Sequence, residues 1–575
     1  MVKSVTYSNS PLLATRTPVW RSKLIMIIFF LGFTIICFRA IWVQFIGNDF
    51  FLHQGDIRYT RTVNHLPMRG NILDRDGRVL ASSAPAKSIW ADRKQAKPSQ
   101  EELQVLAALL EIDSKDLEKR LSNVRAGNFV WLKRHIDFSL AEKIASLKIK
   151  GIYERLEHKR HYPLGAAISQ VVGFSNVEGR GQEGIELNFE SELSGFPGLR
   201  RVLKDRLGKV IAEVGEEVAP INGSDIQLSI DSTIQHYTYQ KISEAVIKNK
   251  ATSGSAVVLD AMTGEVLALA NYPSFDPLDR NHSSFANSRN TAVVDSFEPG
   301  SAIKPLAMGA ALQLKKLTPL TTFDTRPGVL NYQGSRISDV GNFGVLTARE
   351  VIAKSSNIGM VKVADLMKPE EMWHMYSLLG IGRKPEIEFP GASGGRLRHW
   401  HNWRPVEQAT MAYGYGLSMS LLQLATAYTA IAGDGRLRPA YLLKNSKPPE
   451  SVRVFSEEVA EELRNMIWLS GGAGRKNARA NTEGYSVGGK SGTTRKLIDG
   501  VYQRGSYRSW FVGMSPISNS YSKIIVAVMI DEPRAGKYYG SAVAAPIFNS
   551  VISESLRLMG YQPDTIIERG KQNSD

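Results

Sequence analysis

Hydrophobic and polar positions divide the chain into three parts, and the first is a continuous apolar run near the N-terminus. The run LIMIIFFLGFTIICF covers residues 24–38 and continues across Arg39 to Ile46. A helix of about 23 residues rises roughly 34 Å, which is enough to cross a bilayer. The pattern predicts a transmembrane anchor over 24–46, preceded by a cytoplasmic tail over 1–23.

Charges beside this run support that orientation. Four basic side chains and no acidic one precede it: Lys3, Arg16, Arg21 and Lys23. This bias favours a cytoplasmic N-terminus, so that everything after Gly47 is extracytoplasmic. A cleaved signal peptide is the alternative, but the run is too long for one and lacks a clear cleavage site. We expect Arg39 to reach the membrane interface, with contact to a membrane partner as the alternative.

The second part, 50–225, alternates short polar and apolar stretches without concentrated chemistry. The stretch ILDRDGRVLA predicts a hairpin that turns at Asp76-Gly77. Apolar residues at helical spacing predict helices over Glu101–Ser122 and Ser139–Ile149. Mixed strand-and-turn sequence follows to about Asn222. We interpret this part as a supporting or docking domain.

The third part, 226–565, predicts strands at both ends and helices between them. A strand and a helix begin near Ser229, and two apolar strands joined by a Met-Thr-Gly turn occupy Ser255–Ala270. The middle is largely helical and includes Met419–Gly433. Three strands and a last helix follow: Ser486–Thr494, Ser509–Pro516, Lys523–Pro533 and Ala545–Gly560. This order predicts one sheet covered by helices, and the polar end, 566–575, is predicted to be a flexible tail.

The bulk composition agrees with a multidomain globular chain and narrows its chemistry. The chain has 575 residues, of which 43% are hydrophobic and 22% are charged. This length is greater than a single hydrophobic core supports, so two or more domains are expected. A net charge of +15 suits an anionic membrane or cell-wall polymer. No recognition motif accompanies it, so we predict no nucleic-acid partner. The single cysteine, Cys37, lies in the apolar run; without Cys or His metal motifs we predict no metal and no other cofactor.

One candidate catalytic motif lies in SFEPGSAIKPLAMGAAL, where Ser301 and Lys304 stand three residues apart. A Gly-Ser pair before an Ala- and Leu-rich run predicts a helix that starts at Ser301. Residues three apart share a helix face, so the hydroxyl and the amine can touch. The residues alone therefore allow both a cap and a nucleophile beside its base. The other S-x-x-K, Ser520–Lys523, leads into a strand-like run, and we interpret it as surface.

Two further stretches carry polar chemistry. AKSSNIGM contains Ser355 and Asn357, and GGKSGTTRK contains Lys490 to Thr493. Residues 484–491 also match G-x-x-x-x-G-K-S, the phosphate-binding loop of nucleotide hydrolases. That loop needs a hydrophobic strand before it and a helix after it, whereas GRKNARANTEG precedes it and GTTRKLIDG favours strand or turn. We therefore reject the nucleotide site.

As a strand, KSGT is suited to bind a peptide. We expect the side chains of Lys490 and Thr493 on the same side of the sheet. Gly492, without a side chain, leaves the backbone open to close approach by a ligand. The stretch predicts a docking edge for an extended peptide that ends in a carboxylate.

The order S-x-x-K, S-x-N and K-S-G-T, each in its own structural context, resembles the signature of the penicillin-binding proteins and serine β-lactamases. The likeness extends along nearly the whole chain. RGNILDRDGRVLA, RHYPLG and GQEGIEL resemble motifs of the class B N-terminal domain. FEPGSAIKP, YGYGLSMSLLQLATAY and YYGSAVAAPIF resemble the FtsI-type septal transpeptidases of Gram-negative bacteria.

This resemblance implies an α+β multidomain fold. After the transmembrane helix the resemblance implies an elongated, mixed α/β pedestal domain, similar to a dimerisation domain, over 50–225. A penicillin-binding, β-lactamase-like transpeptidase domain follows over 226–565, with a mostly antiparallel sheet covered by helices. The implied activity is D,D-transpeptidation: stem peptides ending in D-Ala-D-Ala are cross-linked at the division septum, D-Ala is released, and β-lactams acylate the enzyme.

The resemblance also assigns catalytic roles. Ser301 is the expected nucleophile and Lys304 the base that takes its proton. A lysine can do this only if it is neutral, which requires burial and a nearby positive charge such as Lys490. Ser355 is expected to relay a proton to the departing amine, and Asn357 to hold Lys304 and the substrate amide.

Substrate contacts follow from the same likeness. The backbone N–H groups of Ser301 and Thr493 are the expected oxyanion hole. The substrate carboxylate is expected at Lys490, Ser491, Gly492 and Thr493, and the groove at Tyr507, Tyr538 and Tyr539. Implied partners are an FtsW-type lipid II polymerase, other division proteins and the inner membrane, with the catalytic domain in the periplasm.

Other activities remain as alternatives on the same fold. A class A β-lactamase has an E-x-x-L-N glutamate between the second and third motifs, and none occurs between Asn357 and Lys490. An acyl-enzyme resolved by an amine is therefore the more natural outcome. The remaining alternatives are an elongation-type transpeptidase and a non-catalytic penicillin receptor or division scaffold.

Overall fold

A computed structural model describes most of the chain. The described residues are 18–46, 48–50, 53, 60–123, 127–204, 210–213, 217–278, 287–444, 446–471, 482, 484–517 and 521–565. Most of the predicted cytoplasmic tail, the predicted C-terminal tail 566–575 and Ser520 of the second S-x-x-K lie outside them. The described residues form two compact units, one of 1–67 with 196–221 and one of 68–195 with 222–575.

The first unit contains the predicted anchor and a small sheet. An α-helix covers Val19–Ile41 and continues as a π-helical turn over Trp42–Ile46. It is the one helix among the described residues whose length and composition suit a membrane span. Three antiparallel strands form the sheet in the order Thr60–His65, Gly198–Lys204 and Val210–Glu213.

The N-terminal part of the second unit is a sheet packed against three helices. The predicted hairpin is confirmed, because Ile72–Leu73 pairs antiparallel with Val79–Asp92. The strand Val79–Asp92 also pairs with Phe129–Ile136 and with Ile152–His161, while Ile72–Leu73 pairs in parallel with Ile226–Gln227. The helices are Gln100–Leu110, Ser114–Ser122 and Phe138–Ser146.

The helical character predicted over Glu101–Ser122 is confirmed, but the structure divides the stretch into two helices. Glu111 adopts a left-handed conformation with φ of 53° and ends the first helix. The Asp113 side chain accepts hydrogen bonds from the N–H groups of Lys115 and Asp116, and so caps the second helix. Both helices bury leucines in one core, which explains why the apolar spacing runs on across the break.

The sheet of the third part is confirmed as one antiparallel sheet built from both ends of the sequence. Its five strands lie in the order Val266–Tyr272, Ser253–Asp260, Ile524–Asp531, Val501–Ser515 and Gly488–Ile498. Every residue of the central strand Ile524–Asp531 is buried, since helices cover both faces. The strand that carries the K-S-G-T stretch lies at the edge.

Helices surround this sheet and fill the middle of the sequence. The helix Lys304–Gln313 is buried along nearly its whole length, as is Leu421–Ala432, within the larger core. The other main helices are Ser232–Lys248, Ala348–Lys354, Asn357–Asp365, Pro369–Leu378, Pro405–Met411, Glu457–Gly471 and Ala545–Leu558. Shorter helices cover Ser169–Val172, Gly184–Asn188, Glu190–Ser194, Thr291–Val294 and Gly540–Val543. Short strand pairs are Thr322–Asp324 with Val345–Thr347, Val329–Tyr332 with Ser335–Ser338, and Arg436–Leu437 with Val452–Arg453.

Candidate active site

Ser301 lies in a tight turn before a buried helix. Gly300–Ile303 forms one 3-10 turn, and the α-helix begins at Lys304. The α-helix therefore starts three residues after the predicted start at Ser301, which lies within the 3-10 turn that leads into it. Gly300, with φ of +55°, sets the turn, and Pro305 occupies the first helical turn, where its missing N–H costs little. The turn presents Ser301 at the margin of the core, where it is half-buried.

Backbone contacts hold this turn on several sides. The Gly300 N–H donates to the Gly414 carbonyl at 3.1 Å, and the Tyr428 hydroxyl donates to the Ala302 carbonyl at 2.6 Å. The edge strand packs directly against the turn: a Cβ built on Gly492 would lie 2.7 Å from the Pro299 carbonyl oxygen. Glycine is required there because its absent side chain is what lets the two backbones approach.

Lys304 is fully buried and directed at the second motif. Its Nζ donates to the Ser355 carbonyl at 2.7 Å, to Ser355 Oγ at 3.3 Å and to Asn357 Oδ1 at 2.7 Å. Burial, and next the nearby charge of Lys490, hold the pKa of Lys304 well below its ordinary value, although Asp339 acts in the opposite direction. Burial and the charge of Lys490 therefore both favour the neutral amine of Lys304 over its protonated form.

The second motif occupies the junction of two helices. Ala348–Lys354 ends at Ser355, which has a left-handed backbone with φ of 57°, and the next helix begins at Asn357. The Asn357 amide group donates to the Ser338 carbonyl at 2.9 Å, so that its oxygen faces Lys304.

Asp339 fixes this junction, and the sequence reasoning missed it. Its carboxylate accepts hydrogen bonds from Ser356 Oγ and from the N–H groups of Asn357 and Ile358. Such a carboxylate at a helix N-terminus is favourable both for the unpaired N–H groups and for the helix dipole. No motif spacing links Asp339 to Asn357, so only a search for acidic residues ahead of the S-x-N stretch would have singled it out.

Lys490 is a second buried cation in the same region. It is 2% exposed and donates from Nζ to the Ser491 carbonyl at 3.1 Å. Burial lowers the pKa of Lys490 to about 8. The charge of Lys490 helps to lower the pKa of Lys304, and the catalytic role predicted for this pair stays a prediction.

The predicted common side for Lys490 and Thr493 is wrong. They stand three positions apart on the strand Gly488–Ile498, and side chains alternate, so they point to opposite faces. Lys490 and Gly492 face the turn Gly300–Ile303 and are buried, whereas Ser491 and Thr493 are partly exposed. Thr493 Oγ1 accepts a hydrogen bond from the Gly540 N–H at 3.0 Å.

The strand geometry also rules out the nucleotide-binding alternative. A phosphate-binding loop is followed by a helix, but the chain after Ser491 continues as a strand to Ile498. Its edge position instead leaves one side of the strand open to an extended peptide.

The three predicted groove tyrosines form one stack. The rings of Tyr507 and Tyr538 lie 4.2 Å apart and nearly parallel, and the rings of Tyr538 and Tyr539 lie 4.5 Å apart. The Tyr538 hydroxyl donates to the Tyr539 hydroxyl at 3.2 Å. The stack begins on the strand Val501–Ser515, next to the edge strand.

Glu298 is a second residue that the sequence reasoning missed. It lies three residues before Ser301, and its carboxylate accepts from the Gly416 N–H at 2.8 Å and from the Tyr502 hydroxyl at 3.0 Å. Burial raises the pKa of this carboxyl. Tyr502 belongs to the hairpin that follows the K-S-G-T stretch, so the contact ties that hairpin to the residues before Ser301. An acidic residue inside the FEPG stretch was the available signal.

Comparison with known families matches most of the chain. Residues 254–553 match the penicillin binding protein transpeptidase domain, and residues 64–228 match the penicillin-binding protein dimerisation domain. Together the two matches cover the five-stranded sheet, the turn Gly300–Ile303 and the N-terminal part of the second unit.

Individual relatives agree with these matches. The chain is 40% identical over 532 residues to the probable peptidoglycan D,D-transpeptidase PenA of Neisseria meningitidis, covering 91% of this chain and 90% of the relative. It is 36% identical over 556 residues to the peptidoglycan D,D-transpeptidase FtsI of Escherichia coli, covering 95% of this chain and 93% of the relative.

Solved structures show the same fold. A peptidoglycan synthetase from Bifidobacterium adolescentis is 25% identical with a TM-score of 0.69, over 88% of this chain and 98% of that one. The transpeptidase domain of penicillin-binding protein 3 from Burkholderia pseudomallei is 46% identical with a TM-score of 0.54, over 59% of this chain and 98% of that one.

Proposed function

Because this chain belongs to the class B penicillin-binding proteins, the peptidoglycan D,D-transpeptidases, we propose that it cross-links stem peptides through an acyl-enzyme on Ser301. The single observation that supports this most is the environment of Lys304. Its amine is fully buried, lies within hydrogen-bond distance of Ser355 and Asn357, and has a strongly lowered pKa. A buried amine of this kind can accept the proton of a serine three residues earlier.

Acylation begins when Ser301 Oγ attacks the carbonyl carbon of the D-Ala-D-Ala bond. The hydroxyl proton passes to Lys304, and the carbonyl oxygen becomes an oxyanion held by the N–H groups of Ser301 and Thr493. The intermediate collapses, the C–N bond breaks, and the departing amine takes a proton from Lys304 through Ser355. Free D-Ala leaves, and Ser301 carries the acyl group as an ester.

The second half-reaction forms the cross-link. An amine of a neighbouring stem peptide attacks the ester carbonyl and gives its proton to the Lys304 and Ser355 pair. The new amide bond forms, the C–O bond breaks, and Ser301 recovers its proton. Asn357 holds Lys304 and the substrate amide during both steps, and its own amide is already fixed by the Ser338 carbonyl.

Recognition of the donor stem uses the edge strand. The terminal carboxylate binds to the charge of Lys490 and to the hydroxyls of Ser491 and Thr493, while Gly492 leaves room for the peptide backbone. The stacked tyrosines Tyr507, Tyr538 and Tyr539 line the groove beyond it. A β-lactam presents the same carboxylate and a strained amide, so it acylates Ser301 and blocks the cycle.

We place this reaction at the division septum. The likeness to FtsI-type enzymes and the apolar helix Val19–Ile41 support a single-pass inner-membrane protein with a cytoplasmic N-terminus and a periplasmic catalytic domain. Its implied partners are an FtsW-type lipid II polymerase and other division proteins. Depletion of this protein from cells distinguishes cross-linking at the septum from cross-linking during elongation. Filamentous cells after depletion would support the septal role, and round cells would favour the elongation role.

Labelling with a fluorescent penicillin tests the nucleophile. Ser301→Ala is expected to lose all stable labelling, and intact-mass measurement of the wild type is expected to show one acyl adduct, located on the Ser301 peptide. Ser520→Ala, in the other S-x-x-K, is the matched control and should label normally. Labelling that survives in Ser301→Ala contradicts the assignment, and wild-type label that decays within minutes favours a hydrolase.

A further inference from the structure

One edge of the N-terminal sheet is left open. The strand Ile152–His161 pairs along one side with Val79–Asp92, and no other described strand pairs with it. Four successive residues, 153–156, are exposed, so side chains on both faces of the strand are open to solvent. A protruding, unpaired strand edge of this kind is a template for another strand.

The register identifies which backbone groups face outward. The Asp92 N–H donates to the Gly151 carbonyl, and the register continues with Ala91 opposite Ile152. Since hydrogen-bonded and non-bonded pairs alternate in an antiparallel ladder, Tyr153 and Arg155 bond inward to their neighbours. Glu154 and Leu156 therefore direct their N–H and C=O groups away from the sheet.

A row of aromatic rings ends at this same edge. Phe129, Trp90 and Tyr153 lie on three adjacent strands, with ring centroids 5.0 Å and 4.7 Å apart. Phe129 is 46% exposed and Tyr153 is 36% exposed. A strand added beside Ile152–His161 would continue this row with one more cross-strand contact.

The charge at the edge is positive. Arg155 and Lys159 are exposed and form no ion pair with a described residue, whereas Glu154 is already paired with Lys87 at 2.5 Å. Arg155 follows Tyr153 by two positions and so shares its face. A second copy of this chain would bring the same two unpaired cations to the interface, which disfavours self-pairing.

We propose that this edge binds an extended, acidic segment of another polypeptide by strand addition. The added strand forms backbone hydrogen bonds to Glu154 and Leu156, places an apolar or aromatic residue beside Tyr153, and places a carboxylate two positions away beside Arg155. In this mode the backbone gives affinity and the alternate side chains give selectivity. This inference does not depend on the catalytic assignments.

A synthetic strand provides the probe. The full-length protein in detergent is titrated with a fluorescein-labelled ten-residue peptide. In this peptide apolar and polar residues alternate as in a strand, and a tyrosine and a glutamate stand two positions apart on one face. A second peptide carries lysine in place of glutamate. We expect saturable binding of the acidic peptide below about 1 mM, at least tenfold weaker binding of the basic one, and slower amide exchange at residues 153–157 in the complex.

Paired substitutions separate backbone from side-chain effects. Leu156→Pro removes one outward N–H without touching the inward ladder and should abolish binding, while Leu156→Ala keeps the N–H and should bind within about threefold of the wild type. Arg155→Glu should invert the preference between the peptides. Circular dichroism and a melting temperature close to that of the wild type report that each variant is folded. Equal binding of both peptides, equal behaviour of Leu156→Pro and Leu156→Ala, or a dimer of this chain that Leu156→Pro dissolves would each overturn the proposal.

Discussion

The protein has two buried clusters of charged side chains that differ in the signs of their charges. One lies in the N-terminal part of the second unit and the other lies beside Ser301. In the first, Glu186 is fully buried between two guanidinium groups: Arg69 Nε lies 2.6 Å from its carboxylate and Arg160 Nε lies 2.7 Å away. In the second, Lys304 and Lys490 are both buried and of like charge. Each cluster gathers three stretches that are far apart in the sequence.

The difference separates a cluster of opposite charges from a cluster of like charges, and we assign catalysis to the second. Arg69, Arg160 and Glu186 come from RGNILDRDG, RHYPLG and GQEGIEL, and opposite charges satisfy one another there. At the nucleophile the like charge of Lys490 and burial both disfavour the protonated form of Lys304. Opposite charges hold the first cluster together, whereas in the second the burial of two lysine amines favours the neutral form of Lys304.

The largest expected effect comes from removing the buried amine. Lys304→Met is expected to lower the rate of acylation by penicillin at least about a thousandfold, because the proton acceptor is lost. Its melting temperature should be unchanged or higher, since a buried base is replaced by an apolar chain of similar length. Stopped-flow kinetics measures the acylation rate, and calorimetry measures the melting temperature. Lys316→Met, just beyond the same helix, is the control. A Lys304→Met variant with a lower melting temperature than the wild type would contradict the proposed difference between the two clusters.

The opposite result is expected in the N-terminal cluster. Glu186→Gln leaves two buried guanidinium groups without their carboxylate and should destabilise the fold by about 3–5 kcal/mol, as breaking a buried ion pair does. Protein that remains folded should acylate at the wild-type rate. Glu178→Gln, which breaks an exposed pair with Arg134, should cost less than about 1 kcal/mol. Chemical denaturation measures both, and equal losses would show that burial is irrelevant to this cluster.

A third test changes the pKa of Lys304 by removing the charge of Lys490. Acylation should rise with pH as Lys304 loses its proton, and fall above about pH 8 as Lys490 loses the charge that binds the carboxylate. Removing that charge in Lys490→Gln raises the pKa of Lys304, so the rising limb moves to higher pH and the falling limb disappears. The pH profile of acylation by a chromogenic cephalosporin gives both limbs. An unmoved rising limb would mean that the two lysines are not coupled.

The smallest expected effect concerns Asp339. Its charge raises the pKa of Lys304, so Asp339→Asn should shift the rising limb to lower pH, opposite to Lys490→Gln. The rate at the optimum should fall about tenfold, because the N–H groups at the start of the helix Asn357–Asp365 lose a charged acceptor. The same pH profile measures it. A shift in the same direction as Lys490→Gln would contradict the assigned electrostatics.

The apolar strands predicted the sheet because they are local signals, whereas the meeting of the S-x-x-K, S-x-N and K-S-G-T stretches was implied only by their resemblance to a known family. Sequence reasoning failed where the outcome depends on contacts between distant residues. Asp339 has no spacing relation to Asn357, and only the folded hairpin before it brings the two together. The helix break at Glu111 was missed because the apolar spacing runs through it, although Asp113 was a readable cap. Lys490 and Thr493 were placed on one face against the alternation of a strand.

The backbone clamp around the nucleophile has an evolutionary consequence. A side chain at Gly492 would meet the Pro299 carbonyl oxygen, and one at Gly414 would lie 2.1 Å from the Gly300 carbonyl oxygen. Neither neighbour is a flexible side chain that can move aside. Selection by β-lactams therefore has little room to reshape the turn itself. Substitutions that alter acylation by β-lactams are therefore expected elsewhere around the site, for example among the stacked tyrosines and in the hairpin that Tyr502 ties to Glu298.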